Sequence, residues 1–471
     1  MVLQSSGLSK VKDSLTQKIF LGNEPNAELI AILTVYFVQG ILGLSRLAVS
    51  FFLKDELLLS PVQVSALFGI VLLPWMIKPV FGFISDGLPI FGYRRRPYLI
   101  LSGILGTASW VSLATIVHTT WAATLAIALS SLSVAMSDVI VDSLVVERVR
   151  GESQAKAGSL QSVCWGASAI GGLITAYFSG LLLQYFTTRT VFGITALFPL
   201  IVSGVAWLIA ESPVSKDSQD NDHTNSLPIK HQLKQLRQAI TQKTIWLPTA
   251  FIFVWQATPS ADSAFFYFST NELHFEPEFL GRVHLVTSFA SLAGVWIFQR
   301  FLKSIPFRVI FAWSTVLSSI LGMTMLLLVT HTNRLLGIDD HWFSLGDSVV
   351  LSVMGQIAFM QVMVLAARLC PSGVEATLFA LLMSVFNSAG TVSRAFGALI
   401  TYWLGITATN FESLWLLVLI TNLSTLLPLP FINWLPAAED QTETPKDGEK
   451  PFLPDLMSEL ILREPESEIV E

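Results

Sequence analysis

The sequence predicts an all-α integral membrane protein whose spans form two six-helix bundles. Three observations predict it. Apolar runs of about the ~20 residues that cross ~30 Å of hydrocarbon recur along almost the whole chain. Of its 471 residues, 52% are hydrophobic and only 13% charged, against roughly 25% charged in soluble domains. Lysine and arginine concentrate in alternate connections, the bias that orients membrane spans.

In chain order the runs occupy residues 28–53, 61–83, 97–117, 121–144, 157–185, 190–210, 244–268, 279–299, 307–330, 345–367, 374–404 and 411–435, which makes twelve transmembrane helices. Those at 157–185 and 374–404 are longer than the bilayer needs, so they must tilt, kink or project. With residue 1 in the cytoplasm, the cytoplasmic connections receive Arg94, Arg95, Arg96, Arg148, Arg150, Arg300 and Arg308 among many others. The other side keeps Lys54, Arg189 and Arg334. Both termini are therefore expected to be cytoplasmic.

The longest connection divides the spans, giving a bundle at 28–210, a linker at 211–243 and a bundle at 244–436. The linker opens on the polar stretch SPVSKDSQDNDHTNS and then places Ile229, Leu233, Leu236 and Ile240 on one face among lysines, the pattern of an interfacial helix. Around 146–160 and 366–381 the bundles resemble each other, as duplication of a six-span unit would leave. Residues 1–27 lack an apolar cleavable core, and the tail from 437 carries eleven acids and three bases from Glu439 onward, so it reads as solvated and disordered. Cys164 and Cys370 make no disulfide framework.

The informative charges are those the bilayer should exclude: Arg46, Lys78, Asp138, Asp142, Asp262 and Arg394. Each costs at least ~2.5 kcal/mol at the bilayer centre unless it faces a cavity or a partner. Asp138 and Asp142 stand four residues apart on one helix face and would repel if both were ionised. Either one holds a transferable proton, which suits proton coupling, or Lys78 ties the second and fourth spans together as a structural pair.

Arg46 and Arg394 can each grip a substrate carboxylate through two parallel hydrogen bonds. The bland alternatives are an ion pair with Asp262 or snorkelling to the outer interface. Gln39, seven residues before Arg46 and on nearly the same face, is expected to line the same cavity. The seven histidines fall in loops or at span ends, and neither a metal-ligand cluster nor a nucleophile with its base is visible. The reading is therefore of a non-enzyme without cofactor or metal, and nothing points to nucleic acid.

Gly82 and Asp86, followed by Gly92 and Arg94 to Arg96, resemble the loop between the second and third helices of the major facilitator superfamily, with an added GLPI stretch. Together, YFVQGILGLSRLAVSFFLKDEL at 36–57, KPVFGFISDGLPIFGYRRRPY at 78–98 and SDVIVDSLVVERVR at 137–150 resemble the folate-biopterin transporter family over about residues 28–435. The resemblance implies two bundles of major facilitator type that rock about a central site. It implies a cytoplasmic latch of Asp86, Arg94, Arg95 and Arg96, with Glu147 and Arg148 as candidate partners, and a folate or pterin as substrate.

A pterin edge offers N–H donors to a carboxylate such as Asp262, and a glutamyl tail offers carboxylates to arginine. Trp75, Trp165 and Phe386 are candidates to stack on the ring. The expectation is a monomeric symporter of folate with protons, in a bacterial plasma membrane or alternatively a plastid envelope. The competing reading is a proton-coupled transporter of sugars or other organic anions from the same superfamily.

Overall fold

A computed structural model describes residues 25–148, 154–211, 213, 241–302, 305–369 and 375–436, and every regular element in them is a helix. The first crossing joins α1 (Ala27–Ile41) to α2 (Leu44–Phe51) and a π-helical turn, Phe52–Glu56. Asn26 starts it, its side-chain oxygen accepting the Leu29 N–H at 2.8 Å. The second consists of α3 (Pro61–Val71), α4 (Leu73–Met76) and α5 (Lys78–Gly87). Ser60 and Gln63 form a reciprocal capping box at its start. Pro74 and Pro79 cannot donate an N–H to a preceding turn, and the crossing is segmented just before each of them.

Four crossings follow: α6 (Arg96–Thr115), α7 (Thr120–Arg148), α8 (Gln154–Tyr185), and α9 (Thr188–Thr195) with α10 (Leu197–Val205). After the linker come α11 (Lys243–Gln256) and α12 (Asp262–Tyr267), then α13 (Pro277–Ile297). Next are α14 (Phe307–Gly322), α15 (Met325–Val329) and α16 (Thr332–Leu335). The chain then forms α17 (Asp340–Arg368), α18 (Glu375–Trp403) and α19 (Leu414–Ser424).

Among the described residues, ten segments are long and apolar enough to cross a membrane. The expected span at 244–268 is not one rod, because the chain leaves the helix between α11 and α12. The expected span at 374–404 is the single helix α18 of 29 residues, about 44 Å long at 1.5 Å per residue, with Asn387 and Arg394 diluting its apolar character. The polar linker, its expected interfacial helix at 229–240, the acidic tail and the first 24 residues lie outside the described residues.

The two halves repeat a distinctive device. Π-helical turns begin at Phe52 and Phe268, left-handed residues follow at Leu58 and His274, and new helices start with Pro61 and Pro277. All three pairs are 216 residues apart. The backbone bonds match as well: Leu59 to Leu53 at 3.0 Å and Phe275 to Ser269 at 2.9 Å. At the same offset, Arg46 corresponds to Asp262.

The end of the molecule bearing Arg94–Arg96 is called the basic face below; residues 54–60 mark the opposite face. The halves join toward the opposite face. Buried Tyr267 donates its hydroxyl to the Leu59 carbonyl, Lys54 donates to Asn271 at 2.8 Å, and Ser65 donates to the Arg394 carbonyl at 3.0 Å. Phe51 meets Phe266 edge to face at 5.3 Å. Gly180 of α8 and Gly281 of α13 touch so closely that a Cβ on Gly180 would sit 2.2 Å from the Pro277 carbonyl oxygen. Only glycine permits that approach. Around the outside, large side chains such as Trp121, Phe178, Trp313 and Trp403 remain exposed, as lipid-facing positions require.

Candidate transport cleft

Arg46 is carried by α2, just after the helix break at Leu42 and Gly43. Its side chain is accessible. Among the described residues no hydrogen bond or ion pair engages it. The charge of Arg394, from α18, is near enough to act on Arg46. Arg394 donates to the Gly390 carbonyl at 3.2 Å, and a Cβ on Gly390 would lie 3.7 Å from Arg394 Nη1 and 3.8 Å from Gln256 Nε2. Arg394 and Gln256 therefore flank the same glycine.

His284, from α13, also lies within electrostatic reach of Arg46 and is likewise accessible. The packing explains the meeting. A Cβ on Gly43 would approach Thr175 of α8 at 2.9 Å, and Gly180 one turn further along α8 touches Gly281. Arg46 and His284, each three residues beyond its glycine, are thus brought to one level on either side of α8. The expectation that every histidine occupies a loop or span end fails here, because the helix begins at Pro277 and carries His284 two turns inside.

Nearer the basic face, Lys78 forms an ion pair with Asp138, its ammonium 4.7 Å from the Trp75 ring centre. Asp142, one turn along α7, accepts the hydroxyl of Tyr36 from α1. The group ties the first, second and fourth crossings together in a chain of ionisable side chains. Both alternatives read from the sequence therefore have a geometric basis here: a structural Lys78–Asp138 pair, and a second carboxylate held by a neutral donor.

At the basic face, Arg95 donates to Glu147 from Nε at 3.0 Å and Nη2 at 2.6 Å, and from Nη1 to Ser85 at 3.1 Å. The backbone N–H groups of Arg94, Arg95 and Arg96 donate to Glu211 at 2.5, 3.0 and 3.0 Å. A carboxylate thus occupies the positive end of α6. Arg96 also donates to the Ile209 carbonyl at 2.5 Å and lies over Tyr93 and Trp207. Arg148 pairs with Asn26 at 2.8 Å and Glu28 at 3.4 Å. The side chain of Asp86 lies outside the described residues.

Gln39 does not join Arg46. It lines a cavity of about 10 Å³ with Ser102, Ser133 and Ser137, its Nε2 buried without a partner. The break at Leu42 and Gly43 alters the helical register that a continuous helix would have shared. Asp262 is exposed at the start of α12, its backbone N–H held by Ser260 Oγ at 3.2 Å. Phe386 packs against Phe359 with tilted rings 5.8 Å apart, and Trp165 is 60% exposed. Among the described residues no cluster of metal-ligating side chains occurs.

The model of the BT1 family matches residues 39–451. The chain belongs to the BT1 family. It is 61% identical over 439 residues to a folate-biopterin transporter of Synechocystis sp., covering 93% of this chain and 88% of that one. Folate transporter 2 of Plasmodium falciparum is 30% identical, covering 87% and 88%, and probable folate-biopterin transporter 5 of Arabidopsis thaliana is 32% identical, covering 85% and 81%. This BT1 chain superposes on the nucleoside transporter NupG with a TM-score of 0.65 at 14% identity, covering 86% and 98%. On a D-xylose-proton symporter the TM-score is 0.62 at 15% identity, covering 88% and 99%. The fold is that of the major facilitator transporters, in an integral membrane protein whose family is one of transporters.

Proposed function

We propose that the protein moves folates, pterins or both across a bilayer by alternating access between two six-helix halves, twelve crossings in all. The observation that carries the reading is Arg46, an accessible guanidinium within the first crossing that no hydrogen bond or ion pair engages among the described residues. An unpaired cation in such a place suits an anionic substrate. The names of the curated relatives supply the substrate class.

The bonds from Tyr267, Lys54 and Ser65 support a conformer closed at the opposite face. By the distribution of arginine and lysine that face is external, the basic face and both termini cytoplasmic, and the membrane a bacterial plasma membrane. The protein works as a monomer. Asp262, the repeat counterpart of Arg46, is assigned to the N–H edge of the pterin. Asp138 and Asp142, with Lys78 and Tyr36 around them, are assigned to proton coupling. Asp86, Arg94, Arg95, Arg96, Glu147 and Arg148 are assigned to the cytoplasmic latch.

Uptake of labelled folate into proteoliposomes, with and without an imposed pH gradient, tests both parts. Substrate-dependent uptake is expected, faster with the inside alkaline. Equal rates and plateaus would remove the proton coupling, and no folate or pterin uptake under either condition would remove the substrate assignment. Arg46→Ala is expected to abolish folate uptake at unchanged expression.

A further inference from the structure

Along α8 and α13 the two halves meet backbone to backbone. A Cβ on Gly180 would lie 2.2 Å from the Pro277 carbonyl oxygen and 2.7 Å from the Gly281 Cα. One on Gly281 would lie 2.8 Å from the Gly180 Cα and 3.0 Å from the Tyr177 carbonyl oxygen. All of these neighbours are main chain, which no change of rotamer moves aside. The contact sits near the opposite face, five residues from the α8 end at Tyr185 and four from the α13 start at Pro277. One turn beyond it, Gln184 donates to Glu276 at 3.4 Å.

The other seam between the halves has slack. There α3 faces α18, and a Cβ on Gly69 would meet Thr391 Cγ2 at 3.6 Å, an ordinary van der Waals separation. A groove of about 510 Å³ opens between the same two helices. A tight glycine contact also lies inside the first half, where a Cβ on Gly171 of α8 would come 2.5 Å from the Phe37 carbonyl oxygen of α1. That contact joins helices of one bundle. Gly180 and Gly281 belong to different bundles, which part when the opposite face opens. In lipid, helices associate through close packing rather than through the hydrophobic effect, so a methyl group at this point removes the contact that bare backbones make.

We propose that Gly180 and Gly281 are positioning residues of the transport cycle, whose contact forms only in the conformer closed at the opposite face and requires two bare backbones to do so. The proposal rests on the alternating-access reading above. A side chain at either position then disfavours one conformer rather than the fold, because the conformer open at that face leaves the methyl group room.

Spin labels at Trp121 and Trp342 read the state of that face, since these exposed side chains lie at the opposite-face starts of α7 and α17, one on each half. The measurement is the label-to-label distance distribution in the full-length protein with Cys164 and Cys370 replaced. The wild type is expected to show a short and a long distance. Gly180→Ala and Gly281→Ala are each expected to raise the long population relative to the short by about tenfold or more, as overpacking of one conformer dictates. Gly69→Ala should leave the ratio unchanged, and Gly171→Ala should lower the melting temperature without moving the ratio. An unchanged ratio in Gly180→Ala and Gly281→Ala, or an equal rise in Gly69→Ala or Gly171→Ala, would overturn the proposal, while two wild-type distances leave alternating access standing. A single wild-type distance, with and without folate, would remove alternating access itself. Failure of both Gly180→Ala and Gly281→Ala to fold would also overturn the proposal, because the contact would then be required in every conformer.

Discussion

Arg95 and Glu147 are joined by two N–H···O bonds of 3.0 and 2.6 Å, between the loop before α6 and the end of α7. Arg95 is 8% exposed and Glu147 sits at the surface, so the pair is screened on one side only. Arg95→Ala also removes the bond to Ser85 and should destabilise the protein by about 1–3 kcal/mol. Glu147→Gln keeps one acceptor and should cost less. Thermal melting in detergent orders the two variants, and an equal loss for both would show that the ion pair, not the wider contact set of Arg95, dominates.

Glu211 accepts from three successive backbone N–H groups at the head of α6. Its removal uncovers donors that water reaches only partly. Glu211→Ala is expected to lower stability by about 1–2 kcal/mol, in the range of a lost helix cap with its dipole contribution. Glu211→Gln should recover part of this, because the amide oxygen still accepts. Denaturation midpoints of the two variants check the order.

Lys78 and Asp138 keep 23% and 14% of their side-chain exposure. Lys78→Ala leaves Asp138 facing Asp142 without its cation, a cost of about 1–3 kcal/mol, below that of a fully buried pair. Lys78→Ala with Asp138→Asn should restore most of it. A double-mutant cycle on melting temperature measures the coupling. Asp142→Asn removes the carboxyl beside Tyr36 to which proton coupling is assigned in the proposed function, and its uptake should lose the response to a pH gradient while substrate exchange persists.

Tyr267 is fully buried and bonds across the halves to Leu59. Tyr267→Phe should weaken closure of the opposite face by about 0.5–1.5 kcal/mol, a shift of about two- to tenfold in the open population. In a chain with Cys164 and Cys370 replaced, a cysteine at Thr258, in the break between α11 and α12 where its carbonyl accepts from Ser393 at 2.6 Å, should then react that much faster with an impermeant thiol reagent added from that face. An unchanged rate would remove Tyr267 from the closure.

Much of this architecture was legible in composition and spacing. Apolar runs announce crossings because the bilayer admits only helices that satisfy their own backbone. Arg46, Lys78, Asp138, Asp142 and Arg394 were visible because charge inside such runs is costly. The pairing of Arg95 with Glu147, the place of His284 inside a helix, and the roles of Tyr36 and Glu211 were not legible. Tyr36 and His284 are ordinary members of apolar helices, and Glu211 lies more than a hundred residues from the N–H groups it holds. The Gln39 misassignment has a local cause: helical periodicity was carried across a break.

By itself the sequence determined the membrane solvent, the helical class, the duplication and which residues are too polar to face lipid, since these follow from hydropathy and charge counted along one chain. Only the tertiary structure decided partners. Whether a buried charge is paired or free depends on where other helices cross, and here glycine contacts at Gly43, Gly180 and Gly281 set those crossings. They set Arg46 and His284 at one level beside α8, while the approach of α5 to α7, where a Cβ on Gly82 would meet Val139 at 3.7 Å, brings Asp138 to Lys78.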